Sequence, residues 1–419
     1  MLAICARRAI TPLQTISPAT LLVENGTIVA VGSPTQVPVP GGAAVIDVGD
    51  RTVAPGFIDT HIHGRDGACF GEDADTAAAL CRSAASTGVT GLLPTLSSLL
   101  PVQYTLEMIL ERIRTVRRVM TQATPLRPLA PPCEDRGPPK TGDYRRQGTT
   151  AGGAEILGIH MEGPYLSGDG SAIGAQLAQN LRRPSVEELH RMVEASAGTI
   201  RKMSIAPELD GALDMIREMD RLGIVPCAAH STASYEQAMA AVQAGLCCAT
   251  HVFNGMSLFH HRKPGLVGAI LCSDRIHAEL IADGQHVSAP AMQVLLRCKG
   301  VDGIHLVTDN TLWAGMPNGT YRDGERTIVK EDERVSVAGG TLIGSVAPMN
   351  RCVRNMVLMV GCLLAEAVQM ATLNPARLIG VDDRKGSLEV GKDADLVVID
   401  DDINVHMTMV RGREVYRAG

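Results

Sequence analysis

Residues 224–252 read IVPCAAHSTASYEQAMAAVQAGLCCATHV, and this stretch decides the fold. An apolar run, 224–229, stops at His230. An amphipathic segment, 233–244, follows, and a second apolar run, 247–252, ends around His251. Apolar runs without alternation mark strands buried on both faces, and strand–helix–strand at this spacing is a parallel βα unit. The pattern continues on both sides. Candidate strands occupy 53–60, 89–95, 156–161, 202–206, 224–229, 247–252, 277–283 and 303–308, with helical candidates at 72–87, 185–196, 210–222, 233–244 and 288–298. Eight such repeats predict an α/β chain folded as a (β/α)8 TIM-type barrel over 55–379, closed by a helix at 363–379 after a β-rich excursion near 319–345.

The two ends of the chain have a different texture. ATLLVENGTIVAVG (19–32) and AAVIDVGDRTVAPG (43–56) read as short strands, with Asn25-Gly26 as a hairpin turn. DADLVVIDDDINVHMTMVRGREVYRAG repeats that texture at the other end. Residues 1–54 and 380–419 are therefore expected to build one small β-sandwich domain. Residues 121–153 hold six prolines, many charges and almost no apolar face, so they are expected to form a flexible surface loop on the barrel's N-terminal side.

Bulk properties narrow the function. The 419 residues suit one barrel with a satellite domain, and 45% hydrophobic residues supply a large core. A net charge of −6 gives no basic field for nucleic acid or an anionic membrane. No apolar run reaches the ~18 residues that suggest a membrane span. The 11 cysteines are odd in number and form no CxxC, which points to a reducing compartment, and MLAICARRAI lacks a secretory pattern. The expected location is the cytoplasm.

Ionisable residues fall where apolar runs stop. The first strand runs into His61-Ile62-His63, the third into Glu162, the fifth into His230, the sixth into His251 and the eighth into Asp309. Strand C-termini in a parallel barrel open on one face, so these residues converge. Alternation along a strand points His61 and His63 the same way. A single strand-end His or Asp is ordinarily a cap or a hydrogen-bonded core residue. Six of them at five strand ends fit a metal site better, because imidazole and carboxylate suit zinc and related divalent ions. Asp309 beside such a metal is placed to accept a proton from an activated water. No GxSxG elbow is present, which argues against serine chemistry. His160, His190, His277, His305 and His406 read as core or exposed residues.

The motifs VAPGFIDTHIHG, HMEGPYLS, AAHS, THVFNGM, HHRKPG, ADGQH, VTDN, TLIGS and GSLEVGKDADLVVID together resemble the amidohydrolase superfamily, and within it the N-acetylglucosamine-6-phosphate deacetylases. The resemblance spans nearly the whole chain. It implies a divalent metal, zinc, with one or two ions per subunit, on Glu162, His230 and His251, with His61 and His63 available to a second ion that Glu162 could bridge. It implies Asp309 as the catalytic residue. It implies substrate contacts at Ala175, Gln176, Asn254, Gly255, His286, Leu342, Ile343 and Gly344, and a homodimer in which Arg262 reaches the neighbouring subunit's site. The implied reaction is hydrolysis of the acetamide of an N-acetylhexosamine 6-phosphate, glucosamine before galactosamine, to acetate and an amino-sugar phosphate.

Four positions depart from the family pattern. Gln176 stands where histidine is usual, Gly255 where alanine is usual, Arg65-Asp66-Gly67 replaces a glycine-rich turn, and Trp313 follows Asp309 closely. These changes surround the substrate and spare the metal set. They keep open an amidohydrolase acting on another N-acyl or cyclic amide substrate, and a barrel that binds metal without catalysis.

Overall fold

The computed structural model describes residues 1–99, 104–121, 152–170 and 172–419. Most of the expected loop at 121–153 lies outside them.

Eight parallel strands form the barrel. They are β1 (Phe57–Ile62), β2 (Val89–Ser97), β3 (Ile159–Glu162), β4 (Ile200–Ile205), β5 (Val225–Ala228), β6 (Cys248–Ala249), β7 (His277–Leu280) and β8 (Ile304–Leu306), each paired in parallel with the next. The ring closes between the last strand and the first. Ile62 bridges Asn310 in parallel, the Asp309 N–H donates to the His61 carbonyl at 2.8 Å, and the His63 N–H donates to the Asn310 carbonyl at 2.8 Å. Almost every residue of these strands is buried, which explains why they are mainly apolar without alternation.

The connecting helices begin and end where local chemistry dictates. Ser234 caps Tyr235–Ala244 with a reciprocal bond to Gln237, and Gly245 stops it. Ser185 caps Val186–Ser196 through the Glu188 N–H. Leu106–Thr121 and Gly265–Cys272 were not among the expected helices. The expected closing helix at 363–379 is two helices, Leu364–Ala371 and Leu373–Leu378, broken at Thr372. The expected β excursion is a three-stranded antiparallel sheet, Gly319–Asp323, Arg326–Glu331 and Arg334–Val337.

Strands from both chain ends form two further sheets. One orders Thr27–Gly32, Ala19–Glu24, Leu2–Ala6 and Ala44–Asp47. The other orders Arg413–Arg417, Val405–Val410, Leu396–Ile399, Thr52–Pro55, Arg8–Ile10 and Thr15–Ile16. Ile4, Leu21 and Ile28 from the first share a core with Val53, Val398 and Met407 from the second. The run expected as one barrel strand at 53–60 divides at Gly56: Thr52–Pro55 pairs with Leu396–Ile399, while Phe57–Ile62 enters the barrel. A Cβ on Gly56 would collide with the Thr90 side chain, so only glycine lets the two sheets approach there.

Between sandwich and barrel lies a buried charged network. Glu155 accepts from Arg384 at 2.8 Å and Arg411 at 3.1 Å, and Lys385 Nζ sits 2.9 Å from it. Lys385 also pairs with Asp395, and Arg384 with Asp393 at 2.8 Å.

Candidate metal centre and active site

Four imidazoles and two carboxylates meet at the C-terminal mouth of the barrel. Glu162 is at the centre. Its Oε1 lies 3.1 Å from His251 Nε2 and 3.3 Å from His230 Nε2, and its Oε2 lies 3.5 Å from His63 Nε2. His61 Nε2 is 3.8 Å from Glu162 Oε1. Asp309 Oδ1 faces the first-strand pair, 3.2 Å from His61 Nε2 and 3.1 Å from His63 Nε2. All six residues are buried.

The arrangement fits a cation. His230 and His251 turn their Nε2 atoms toward each other at 3.2 Å, as do His61 and His63 at 3.2 Å. Such lone-pair-bearing nitrogens gathered on a carboxylate are the donor set a divalent metal takes. Two triads share Glu162: Glu162 with His230 and His251, and Glu162 with His61 and His63. The backbone is also committed to the site. His230, His251 and Asp309 have φ of 42°, 33° and 49°, a left-handed conformation that non-glycine residues adopt at a cost of roughly 1–3 kcal/mol each.

Electrostatics agree. Burial pushes the Glu162 carboxyl up, but hydrogen bonds from His230 and His251 and the charges of His61 and His63 hold it well below its ordinary value. Burial likewise raises Asp309, and His61 and His63 outweigh it, leaving the carboxyl at about 2. Burial lowers His251, which favours the neutral form a metal needs. Burial also works against protonated His230, but its bonds to Glu162 prevail and raise it.

The sequence matches the Amidohydrolase family over residues 52–415. The N-acetylgalactosamine-6-phosphate deacetylase of Escherichia coli O157:H7 is 34% identical over 409 residues, covering 97% of each chain. The N-acetylglucosamine-6-phosphate deacetylase of Vibrio furnissii is 34% identical over 397 residues, 94% of this chain and 90% of that one. The chain belongs to the amidohydrolase family. A solved member, a mutant of the N-acetyl-D-glucosamine-6-phosphate deacetylase from Mycobacterium smegmatis in complex with N-acetyl-D-glucosamine-6-phosphate, superposes with a TM-score of 0.84 at 31% identity, covering 99% of both chains. Family members are metal-dependent, and two candidate ligand groups of this chain lie at the mouth.

The remaining expected residues of this amidohydrolase are placed unequally. Gln176 is buried at the centre. Its Oε1 accepts from the Ser98 hydroxyl at 2.7 Å, which turns Nε2 toward Glu162 Oε2 at 3.3 Å and His230 Nε2 at 3.4 Å. Gly255 has a φ of 61°, and a Cβ there would lie 2.7 Å from His230 Nδ1, so glycine suits this loop better than alanine. Asn254 is half-buried and donates to the His251 and Val252 carbonyls. His286 Nδ1 lies 2.7 Å from Asp283 Oδ2. The Ala175 carbonyl accepts from Arg326 at 3.0 Å. Gly344 lies beside Asp309, where a Cβ would come within 2.6 Å of the Asp309 carbonyl oxygen, the Ile343 carbonyl accepts from the Thr311 hydroxyl at 3.2 Å, and Leu342 bridges Ser336. Arg262 is exposed on a loop and its guanidinium meets only His261, at 2.7 Å, among the described residues. Trp313 is buried, packed near Tyr321 with ring centroids 5.1 Å apart.

His160 is a hydrogen-bonded core residue, 3.2 Å from the Thr95 hydroxyl and 3.0 Å from the Ser204 hydroxyl, standing edge-on to the His61 ring. Sequence reasoning passed over Asp59, Lys202 and Glu279. Asp59 accepts from the Thr308 hydroxyl at 2.6 Å and ties the last strand's end to the first; burial raises its carboxyl to about 6. The available signal was a charged residue inside an apolar strand.

Proposed function

We propose that this chain hydrolyses the acetamide of an N-acetylhexosamine 6-phosphate, N-acetylglucosamine 6-phosphate first, to acetate and an amino-sugar 6-phosphate. The observation that carries the reading is the convergence of Asp309 with two ligand triads on Glu162 in one buried mouth. Near-full-length relatives act in name on the glucosamine and galactosamine epimers, which supports this substrate class.

Glu162, His230 and His251 would hold one zinc ion, and His61, His63 and Glu162 a second. A divalent ion there supplies a Lewis acid and lowers the pKa of water. Asp309, ionised and acceptor-only, takes a proton from the attacking water and returns it to the leaving nitrogen. The Gln176 amide, its orientation fixed by Ser98, donates to the carbonyl oxygen as charge develops. Asn254 and Gly255 take the sugar phosphate, His286 and the 342–344 segment line the substrate, and Arg262 grips the phosphate across a homodimer. The exposure of Arg262, with no carboxylate partner among the described residues, supports that last role. No helix among the described residues is long and apolar enough to cross a membrane, and a cytoplasmic location suits a sugar-phosphate substrate.

The test is acetate release from both 6-phosphate epimers and their unphosphorylated sugars, with metal added back after chelation. No acetate from either 6-phosphate sinks the reading. A second reading, a larger N-acyl group, is favoured by a cavity beside His63 walled by Leu99, Leu312, Trp313 and Ile343. It is checked by comparing N-acetyl with N-butanoyl substrates. A preference for the longer acyl group supports it.

A further inference from the structure

Beneath the two triads lies a second layer of charge, from strands the metal set does not use. Lys202 comes from β4, Glu279 from β7 and His305 from β8, and each is at most 1% exposed. An ion at that depth is strongly disfavoured unless paired. Glu279 is paired on both sides. Its Oε1 meets Lys202 Nζ and lies 3.5 Å from His305 Nε2. Its Oε2 turns upward, 3.2 Å from His61 Nδ1, and accepts the His251 backbone N–H at 3.1 Å. One carboxylate thus touches a residue from each triad.

Three roles compete for this arrangement. A plain buried ion pair between Lys202 and Glu279 gives no reason for the contact with His61. A deep metal site is suggested by Cys248, Glu279 and His305, whose ligand atoms gather together. However, the Lys202 ammonium already sits on the lower oxygen of Glu279, where such a cation would have to displace it. The third role accounts for the contacts on both oxygens, with Lys202 below and His61 above. A neutral imidazole ligates through one nitrogen only when the other carries the proton, and a carboxylate accepting that N–H fixes both tautomer and ring orientation. With Nδ1–H held by Glu279, His61 presents Nε2 to His63, Asp309 and Glu162. The other triad is held differently. His230 Nδ1 donates to the Ala172 carbonyl at 2.7 Å, and His251 Nδ1 has no hydrogen-bond partner among the described residues.

We propose that Glu279, held by Lys202, is a positioning residue that fixes the tautomer and orientation of His61 as a ligand of the second ion. The proposal deepens the metal-dependent reading above and rests on it. Glu279→Ala alone would strand the Lys202 charge and risk unfolding, so the informative variant is Lys202→Met with Glu279→Gln. It removes both charges and leaves an amide oxygen to accept from His61 and His251.

Chelated protein is titrated with Zn2+, and bound metal is counted by mass spectrometry. Wild type is expected to bind two equivalents. In the double variant the weaker equivalent loses roughly 10- to 100-fold in affinity, the range for mutating an outer-shell partner, because a neutral amide oxygen holds the Nδ1–H less firmly than a carboxylate, while the tighter one is unchanged. In a His61→Ala background the same pair of substitutions changes nothing further, because Glu279 acts through His61. A merely structural role would alter binding equally in both backgrounds. The proposal is overturned by a single equivalent in wild type, by unchanged affinity in the double variant, or by an equal loss in the His61→Ala background. Acetate release by wild type is read alongside. Inactivity on every sugar phosphate with the expected metal pattern would overturn the substrate reading and leave the role of Glu279 standing.

Discussion

Replacing Gln176 with Ala removes one amide from above the metal centre and disturbs little else. Its Oε1 is engaged by Ser98, so both N–H donors point at the reacting space. Their present contacts, 3.3 Å to Glu162 and 3.4 Å to His230, are long, which leaves a donor free for an entering carbonyl oxygen. A positioned donor at a developing oxyanion contributes about 10²- to 10³-fold in kcat, or ~2.7–4 kcal/mol. The low end of that range applies here, because the amide is neutral. We therefore expect kcat on N-acetylglucosamine 6-phosphate to fall about 100-fold, with KM moving little because the ground-state carbonyl gains less from the bond. The assay is steady-state acetate release at saturating metal, with metal content measured on the same samples. A kcat within about threefold of wild type, with metal intact, would refute the assignment. Gln176→His supplies another donor and is expected to retain most of the rate.

Asp309→Asn should keep its metal and lose about 10²- to 10⁴-fold in kcat, and full turnover in a metal-loaded variant would rule out the proton shuttle. Arg262→Ala should raise KM for the 6-phosphate by roughly 10- to 100-fold, the equivalent of 1.5–3 kcal/mol for a charge-assisted bond. The unphosphorylated sugar should show no change, and an equal loss on both sugars would count against a phosphate contact. Chelation should lower Tm, and Zn2+ at about 100 times its Kd should restore about 2.7 kcal/mol, followed by a thermal melt at graded metal concentrations. Glu155→Gln should destabilise the fold by ~3–5 kcal/mol at neutral pH, because buried Lys385 loses a counter-charge. Burial pushes the Glu155 carboxyl up, but Lys385, Arg384 and Arg411 hold it well below its ordinary value. Its contribution is therefore complete above the unfolded value of about 4.3 and fades as pH falls toward the folded one. Urea melts should show the gap between wild type and variant closing below that pH, and a constant gap would argue that the charge is not the cause.

The barrel was legible because its strands are buried on both faces, so they register as mainly apolar runs, five of which end at the ionisable residues of the mouth. That same rule placed Glu162, His230, His251 and Asp309, and the structure brings them together. Leu106–Thr121 was passed over because its many arginines and glutamates mask an apolar stripe of Ile109, Ile113, Val116 and Met120. The division at Gly56 was hidden because both halves are equally apolar and only the packing against Thr90 distinguishes them. Lys202 and Glu279 were hidden for a deeper reason. Neither has its partner in its own strand, and their pairing exists only across the closed ring.

The division at Gly56 has a consequence for how far the two parts of this chain can be separated. The strand bearing His61 continues, without a linker, from one hydrogen-bonded to Leu396–Ile399. A cut between sandwich and barrel would leave no slack: it would free the lead-in of the very strand that carries two ligands. Leu396–Ile399, near the other end of the chain, thus anchors the lead-in to its first ligands. Trimming the protein to its barrel is expected to loosen the His61 end of the site first.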